Sequence, residues 1–331
     1  MGNLFVFSST NKRERMDKFQ PQQTHIGWFP VFLAVLATMS WAGNITLAKW
    51  LNASIPPIGL AFWRWTVAAL IILPFVIRPM RAMWPVCRQH LPLMFTLSLL
   101  GVAGYNTLIY IALKDTLSTN VLILQSSSPL MILLAQFVLL KQAATKRQVL
   151  AISISVIGVL LIVTQGNLGT NIAIGKSEWI ALFAILVWAT YSVLVQKLPA
   201  ELKGLPMLGY TVTLGAFLLL PFYLWESLTI APMPLSRESI FLGLYTGIFA
   251  SAIAFFCWNS AILKMGASRT GQFMHLIPVF GLIFSALLLG ERMETHHLLG
   301  IGFIVIGIVI ANVASVPNKN DALKERQEEK V

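Results

Sequence analysis

Fifteen polar and aromatic residues recur at helical spacing inside apolar stretches of this 331-residue chain, and together they could grip a small organic molecule. Trp41, Asn44 and Ala48 follow i, i+3, i+7, and Trp188, Tyr191 and Val195 repeat that pattern. Asn106 and Tyr110 stand four apart, and Gln125, Ser128 and Gln136 share another face. Ser251, Phe255 and Trp258-Asn259 form a further group, as do Gln272 and His275. Residues three or four apart lie on one face of a helix. Indole and phenol rings offer surfaces for stacking, while amides and hydroxyls offer directed hydrogen bonds. Such a set recognises rather than reacts. The same side chains also suit a plainer task, because Ser, Asn and Gln commonly hydrogen-bond one membrane helix to another.

Arg64, flanked by Trp63 and Trp65, sits six residues into its apolar window. It could snorkel to the interface as a structural residue, attract a carboxylate or phosphate, or fix a gate. Lys would keep the charge there but lose the planar fork. His275 is the one mid-window side chain whose ordinary titration lies near neutrality, which makes it the candidate proton site. The 13 carboxylates all fall in tails, loops or window ends, with Glu291 nearest to the interior. Proton-driven carriers usually load buried Asp, Glu or His, so this pattern favours facilitated movement.

Composition dictates what must position these residues. Hydrophobic residues make up 56% of the chain and charged residues 11%, with a mean hydropathy of +0.74. A soluble domain carries about a quarter charged residues, so this chain cannot coat a water-facing surface. A soluble enzyme, a disordered scaffold and a nucleic-acid-binding module are excluded. Ten windows predict membrane helices at about 28–48, 58–77, 91–113, 118–140, 148–165, 179–196, 204–225, 239–263, 270–290 and 298–316, each near the roughly 20 residues a span requires. Arg64 is the only Asp, Glu, Lys or Arg inside them.

The formal charge of +11 reads as basic cytoplasmic loops rather than as a site for nucleic acid. With a cytoplasmic N-terminus, eighteen Lys and Arg fall on the inner side and five (Lys49, Lys114, Lys176, Arg237 and Arg292) on the outer. That asymmetry predicts both termini in the cytoplasm of a multi-pass protein of the inner, or plasma, membrane. Residues 1–27 and 317–331 are expected to be cytoplasmic tails, the second disordered, and 166–178 an outer connector. Trp28, Trp50, Trp84 and Trp179 suit interfacial anchoring. Cys87, in a predicted cytoplasmic loop, and Cys257, inside a helix, do not suggest a disulfide.

The two halves resemble each other. At an offset of 149, Ala112 matches Ala261, Pro129 matches Pro278, Leu139-Leu140 match Leu288-Leu289, and Val156-Ile157-Gly158 match Val305-Ile306-Gly307. At 147, Trp41-Ala42 match Trp188-Ala189. Five spans per half is an odd number, so the second copy, 179–316, must lie inverted relative to the first, 28–165. Inverted repeats of helices are a recurring plan of secondary transporters, with the binding site at the repeat interface. The last window of each half carries small residues (Ala151, Ser153, Gly158 against Gly300, Gly302, Gly307), which suits close packing within the chain or between subunits.

This all-α, 5+5 layout resembles the drug/metabolite transporter superfamily of the EamA type. The resemblance rests on Pro278 followed by Leu288-Leu289-Gly290-Glu291, on Gly300 and Ile306-Gly307, and on Arg64 in the second window. It departs in the first half, where Lys141-Gln142 stand in place of an acidic residue, so a role shared by an acidic pair does not carry over. The resemblance implies export of small metabolites, with amino acids or related compounds as the class. It implies a bilayer and a small molecule as partners, and no cofactor or metal. An intramembrane lipid-modifying enzyme would need paired carboxylates or an activated nucleophile, which the windows lack. His296-His297 lie beside Glu294, but adjacent residues on a helix point apart. A membrane protein that only binds or assembles is the remaining alternative.

Overall fold

Prolines and glycines set where each apolar window starts, breaks or turns. The computed structural model describes residues 27–51, 55–116, 118–164, 175–289 and 294–312. The predicted C-tail, the N-tail up to residue 26, residues 166–174 of the connector, and Gly290 to Arg292 lie outside that set. All regular structure among the described residues is helical. The helices are α1 (Trp28–Leu51), α2 (Pro57–Cys87), α3 (Leu91–Leu97), α4 (Tyr105–Asp115), α5 (Ser118–Gln125), α6 (Ser128–Leu140), α7 (Lys146–Val163), α8 (Lys176–Leu194), α9 (Leu205–Thr229), α10 (Arg237–Gly247), α11 (Ala254–Met265), α12 (Ala267–Gly271), α13 (Leu276–Leu289) and α14 (Thr295–Asn312). Short 3₁₀ turns at Arg88–His90 and Gln272–His275, and π-turns at Ser98–Gly104 and Ile248–Ile253, join some of them.

Among the described residues, six helical stretches are long and apolar enough to cross a membrane, the longest being Pro57–Asp115 at 59 residues. Straight, that stretch would span roughly 88 Å at 1.5 Å per residue. Instead Arg64 near its start hydrogen-bonds Tyr110 near its end, so the chain doubles back around the Arg88–His90 turn. The helix α2 outruns its predicted window by ten residues, carrying Pro74, Pro79 and Pro85 within it. Cys87 is therefore the buried last residue of a helix, not a loop residue as the window implied. Two windows are broken. The fourth splits at Ser126-Ser127, just before Pro129, and the ninth passes through a 3₁₀ turn just before Pro278. Proline cannot donate to the preceding turn, so a break ahead of it leaves no bond unmade.

Packing contacts come in pairs that exchange at the sequence offset. The helix α2 runs along α9, and α7 crosses α14. Where α1 packs on α13 and α11, α8 packs on α6 and α4. The α7–α14 crossing is closest at Gly158 and Gly300, where a Cβ on either residue would meet the other's carbonyl oxygen at 2.4 or 2.6 Å. At the offset-related point, a Cβ on Gly307 would meet the Ala151 carbonyl at 2.6 Å. These small residues therefore pack within the chain, whereas Ser153 is exposed and a Cβ on Gly302 would meet nothing.

Gly158→Ala should accordingly lower stability by about 1–3 kcal/mol, the usual cost of overpacking. Gly302→Ala should stay within about 0.5 kcal/mol. Thermal unfolding of the two variants in detergent checks the contrast.

Candidate functional site

The site is built on the first turns of α2. Pro57 opens that helix, and the buried carboxylate of Glu226 in α9 caps it, accepting from Ile58 N at 3.2 Å and from Gly59 N at 2.6 Å. The window pattern puts every carboxylate in a tail, a loop or a window end. The helix α9 runs on to Thr229 and carries Glu226 inside, against α2. A carboxylate at a helix N-terminus satisfies orphan N–H groups and complements the helix dipole. Two turns further along α2, roughly 10 Å from Pro57, lies Arg64.

Arg64 is 2% exposed. Its Nε donates to Ser251 Oγ at 2.5 Å, its Nη1 to the Tyr110 hydroxyl at 2.9 Å and its Nη2 to the Ala250 carbonyl at 2.7 Å. The Trp65 ring lies 5.3 Å from its Cζ. Two of these acceptors sit on the Ile248–Ile253 π-turn. There the Ala254 N–H bonds Phe249 O, one residue further back than in an α-helix. Ala250 O is thereby released from the helix ladder and accepts both Arg64 and Trp41 Nε1, the latter at 2.9 Å. π-Turns inside helices mark functional sites often enough to draw attention to this one.

Arg64 lines a cavity together with Trp41, Asn44, Asn106, Tyr110, Gln125 and Trp188, all of which the sequence singles out. Tyr105, Ile109, Phe255, Met274 and Ile277 are among the other lining residues. Tyr105 is absent from the sequence-derived set, although its hydroxyl accepts from Gln125 Nε2 at 2.6 Å. It opens α4 and has no polar residue three or four positions away, so spacing alone does not pick it out. Rings of Trp41, Trp188, Trp258 and Phe255 meet edge-on or tilted, with Trp41 5.4 Å from Trp188 and 5.1 Å from Trp258.

The remaining candidates do not line the cavity. Tyr191 donates to Asn259 Oδ1 at 2.9 Å, and both are buried with Trp258. Ser128 bonds the Gln125 carbonyl at the α5–α6 break. Gln272 is fully buried with no partner for either amide atom. His275 Nε2 contacts the Ser126 carbonyl, which the helix break exposes, at 2.9 Å. Gln136 pairs instead with the exposed Gln142. His296 and His297 lie with ring centroids 4.0 Å apart, closer than ideal helix geometry suggests, beside Glu294. Trp28, Trp84 and Trp179 are exposed, as anchors would be, and nothing is described for the Trp50 side chain.

A buried cation thus lines a cavity inside a bundle of helices, six of them long and apolar enough to cross a membrane. Residues 28–164 and 175–313 each match the model of the EamA-like transporter family. The chain belongs to that family, within the drug/metabolite transporter superfamily, and is a multi-pass membrane transporter. It is 28% identical over 299 residues to the uncharacterized transporter YyaM of Bacillus subtilis (strain 168), covering 88% of this chain and 96% of that protein. It is 24% identical over 288 residues to a probable amino-acid metabolite efflux pump of Salmonella typhimurium, covering 84% and 93%. A solved crystal structure, 18% identical, shares the fold with a TM-score of 0.68 over 86% of this chain and 96% of that one.

The capping role of Glu226 yields a direct expectation. Glu226→Ala should destabilise the protein by about 1–3 kcal/mol, because two buried N–H groups lose their acceptor. Glu226→Gln, which retains one acceptor oxygen, should cost less. Thermal unfolding in detergent checks that order.

Proposed function

We propose that this chain exports small organic metabolites, amino acids or related compounds, across the inner membrane by alternating access. In this reading two five-helix repeats, 28–165 and 179–316, lie inverted to one another, with an outer connector between them and both termini in the cytoplasm. The observation that carries it is the asymmetry of the cavity. Asn44, Ile109 and Tyr110 line it and are partly exposed. Their offset mates Tyr191, Trp258 and Asn259 are packed away at 5% exposure or less, although both members of the pairs Trp41 and Trp188, Asn106 and Phe255, and Gln125 and Met274 line the cavity. Rocking one repeat against the other would exchange the two sets, as inverted repeats do in alternating access.

Further support comes from residues that touch their own mates. Trp41 meets Trp188, Ser126 meets His275, and Ser155 Oγ lies 3.5 Å from Ile304 O, each at an offset of 147 or 149. Residues related by a twofold can touch one another only close to its axis. The relatives named as efflux pumps favour export as the direction.

Transport in this scheme is facilitated. Glu226 is committed to the end of α2, and His275, the only proton site the sequence offers, stands away from the cavity. Proteoliposomes loaded with a mixed metabolite pool and followed by mass spectrometry should release a few compounds selectively, at the same rate with and without a pH gradient. Gradient-dependent release that His275→Gln removes would contradict facilitation, and no selective release would contradict transport of this class. Arg64→Ala should cut flux at least tenfold with normal membrane insertion. Trp41→Ala, Gln125→Ala and Trp188→Ala should alter which compounds leave. Unchanged selectivity in all three would remove the cavity from the account.

A further inference from the structure

The charge balance of the cavity narrows its cargo beyond the general class. A guanidinium carries five N–H donors, and protein groups take three of those on Arg64, leaving two. Among the described residues no carboxylate lies within ion-pair distance of Arg64, and none lines the cavity. The Trp65 ring face softens the charge but does not cancel it. A buried charge without a counter-ion is costly, and an arriving opposite charge offsets part of that cost.

The other polar lining groups lean the same way. Trp188 Nε1, which can only donate, and Asn106 Nδ2 are buried without acceptors. The Tyr110 hydroxyl accepts from Arg64 and the Tyr105 hydroxyl accepts from Gln125, so each keeps its own proton to donate. The cavity therefore offers several donors beside the amide oxygens of Asn44, Asn106 and Gln125, and carries one net positive charge. Its walls otherwise present rings, Trp41 and Phe255 among them, and aliphatic side chains such as Ile109, Leu122 and Ile277.

We infer that the cargo is a net monoanion: an organic acid with an apolar, planar body and no free ammonium group. A carboxylate fits the fork of Arg64 and neutralises the site. A zwitterionic amino acid would satisfy the guanidinium but bring a second cation with no carboxylate to receive it, so the net charge would stay positive. This inference rests on reading the cavity as the cargo site, and within the proposed class it favours the deaminated relatives of amino acids over amino acids themselves.

Three probes with one ring and similar length separate the cases: 3-phenylpropanoate (an anion), L-phenylalanine (a zwitterion) and 2-phenylethylamine (a cation). Binding is read on the purified full chain by its change in intrinsic tryptophan fluorescence, and movement by exchange in proteoliposomes. The acid should bind at least tenfold more tightly than phenylalanine, and the amine should not bind. Arg64→Gln should bring acid and zwitterion within about twofold of each other. The ranking on the unsubstituted chain decides the matter even if that variant fails to fold. Equal or tighter binding of phenylalanine, binding of the amine, or no binding of the acid would each overturn the inference. An acid that binds but never crosses the bilayer would end the export reading and leave the charge preference standing. Transport of phenylalanine with the acid excluded would do the reverse.

Discussion

A guanidinium taken out of water must find acceptors for its N–H groups, and much of this architecture is arranged around that need in Arg64. Its acceptors come from Tyr110 on α4 and from Ser251 and Ala250 on the turn after α10. A carbonyl freed from the helix ladder has its lone pairs available to a side chain, and the π-turn at Ile248–Ile253 frees Ala250 O in that way. Removing any one partner would leave a charge-bearing donor unpaired, at a cost of about 1–3 kcal/mol. The helix that carries Arg64 is held in turn by Glu226, whose carboxylate binds the first free N–H groups of α2. One acid thus fixes the helix, and the helix fixes the cation beside the cavity. The two charges act in series rather than as an ion pair.

The rest of the bundle reflects a second constraint, close approach of repeat-related helices. Helices bring their backbones together in apolar surroundings chiefly through small residues. The α7–α14 crossing does so at Gly158 and Gly300 and again at Ala151 and Gly307. Near the cavity the contacts are aromatic, with Trp41 against Trp188. Rings that meet edge-on can slide with less loss of contact than interlocked aliphatic side chains. In the proposed cycle, the glycine crossing is the fixed pivot and the ring cluster is the surface that moves.

Much of this was legible in the sequence because membrane helices declare themselves by length and lack of charge. Trp41, Asn44, Asn106, Tyr110, Gln125 and Trp188 share the cavity with Arg64, as their spacing within single helices suggested. What spacing could not convey was where a helix departs from 3.6 residues per turn. Tyr105 lines the cavity with no polar mate at helical spacing to mark it. Gln272 and His275 share a 3₁₀ turn and are packed away. Glu226 was hidden for a different reason. At the edge of an apolar window an acidic residue reads as the end of a span, and only the tertiary contact with the N-terminus of α2 reveals it as a buried cap. The broken fourth and ninth windows carried a signal in Pro129 and Pro278, but proline alone does not say how the chain turns before it.

The most direct test of this account is a structure of the protein bound to an aromatic carboxylate such as 3-phenylpropanoate. The account predicts the carboxylate oxygens within hydrogen-bond distance of the Arg64 guanidinium, and the ring against Trp41 and Trp188. A ligand seated elsewhere in the bundle, or one whose acid group points away from Arg64, would contradict the claim that this buried cation is what the cavity is built to present.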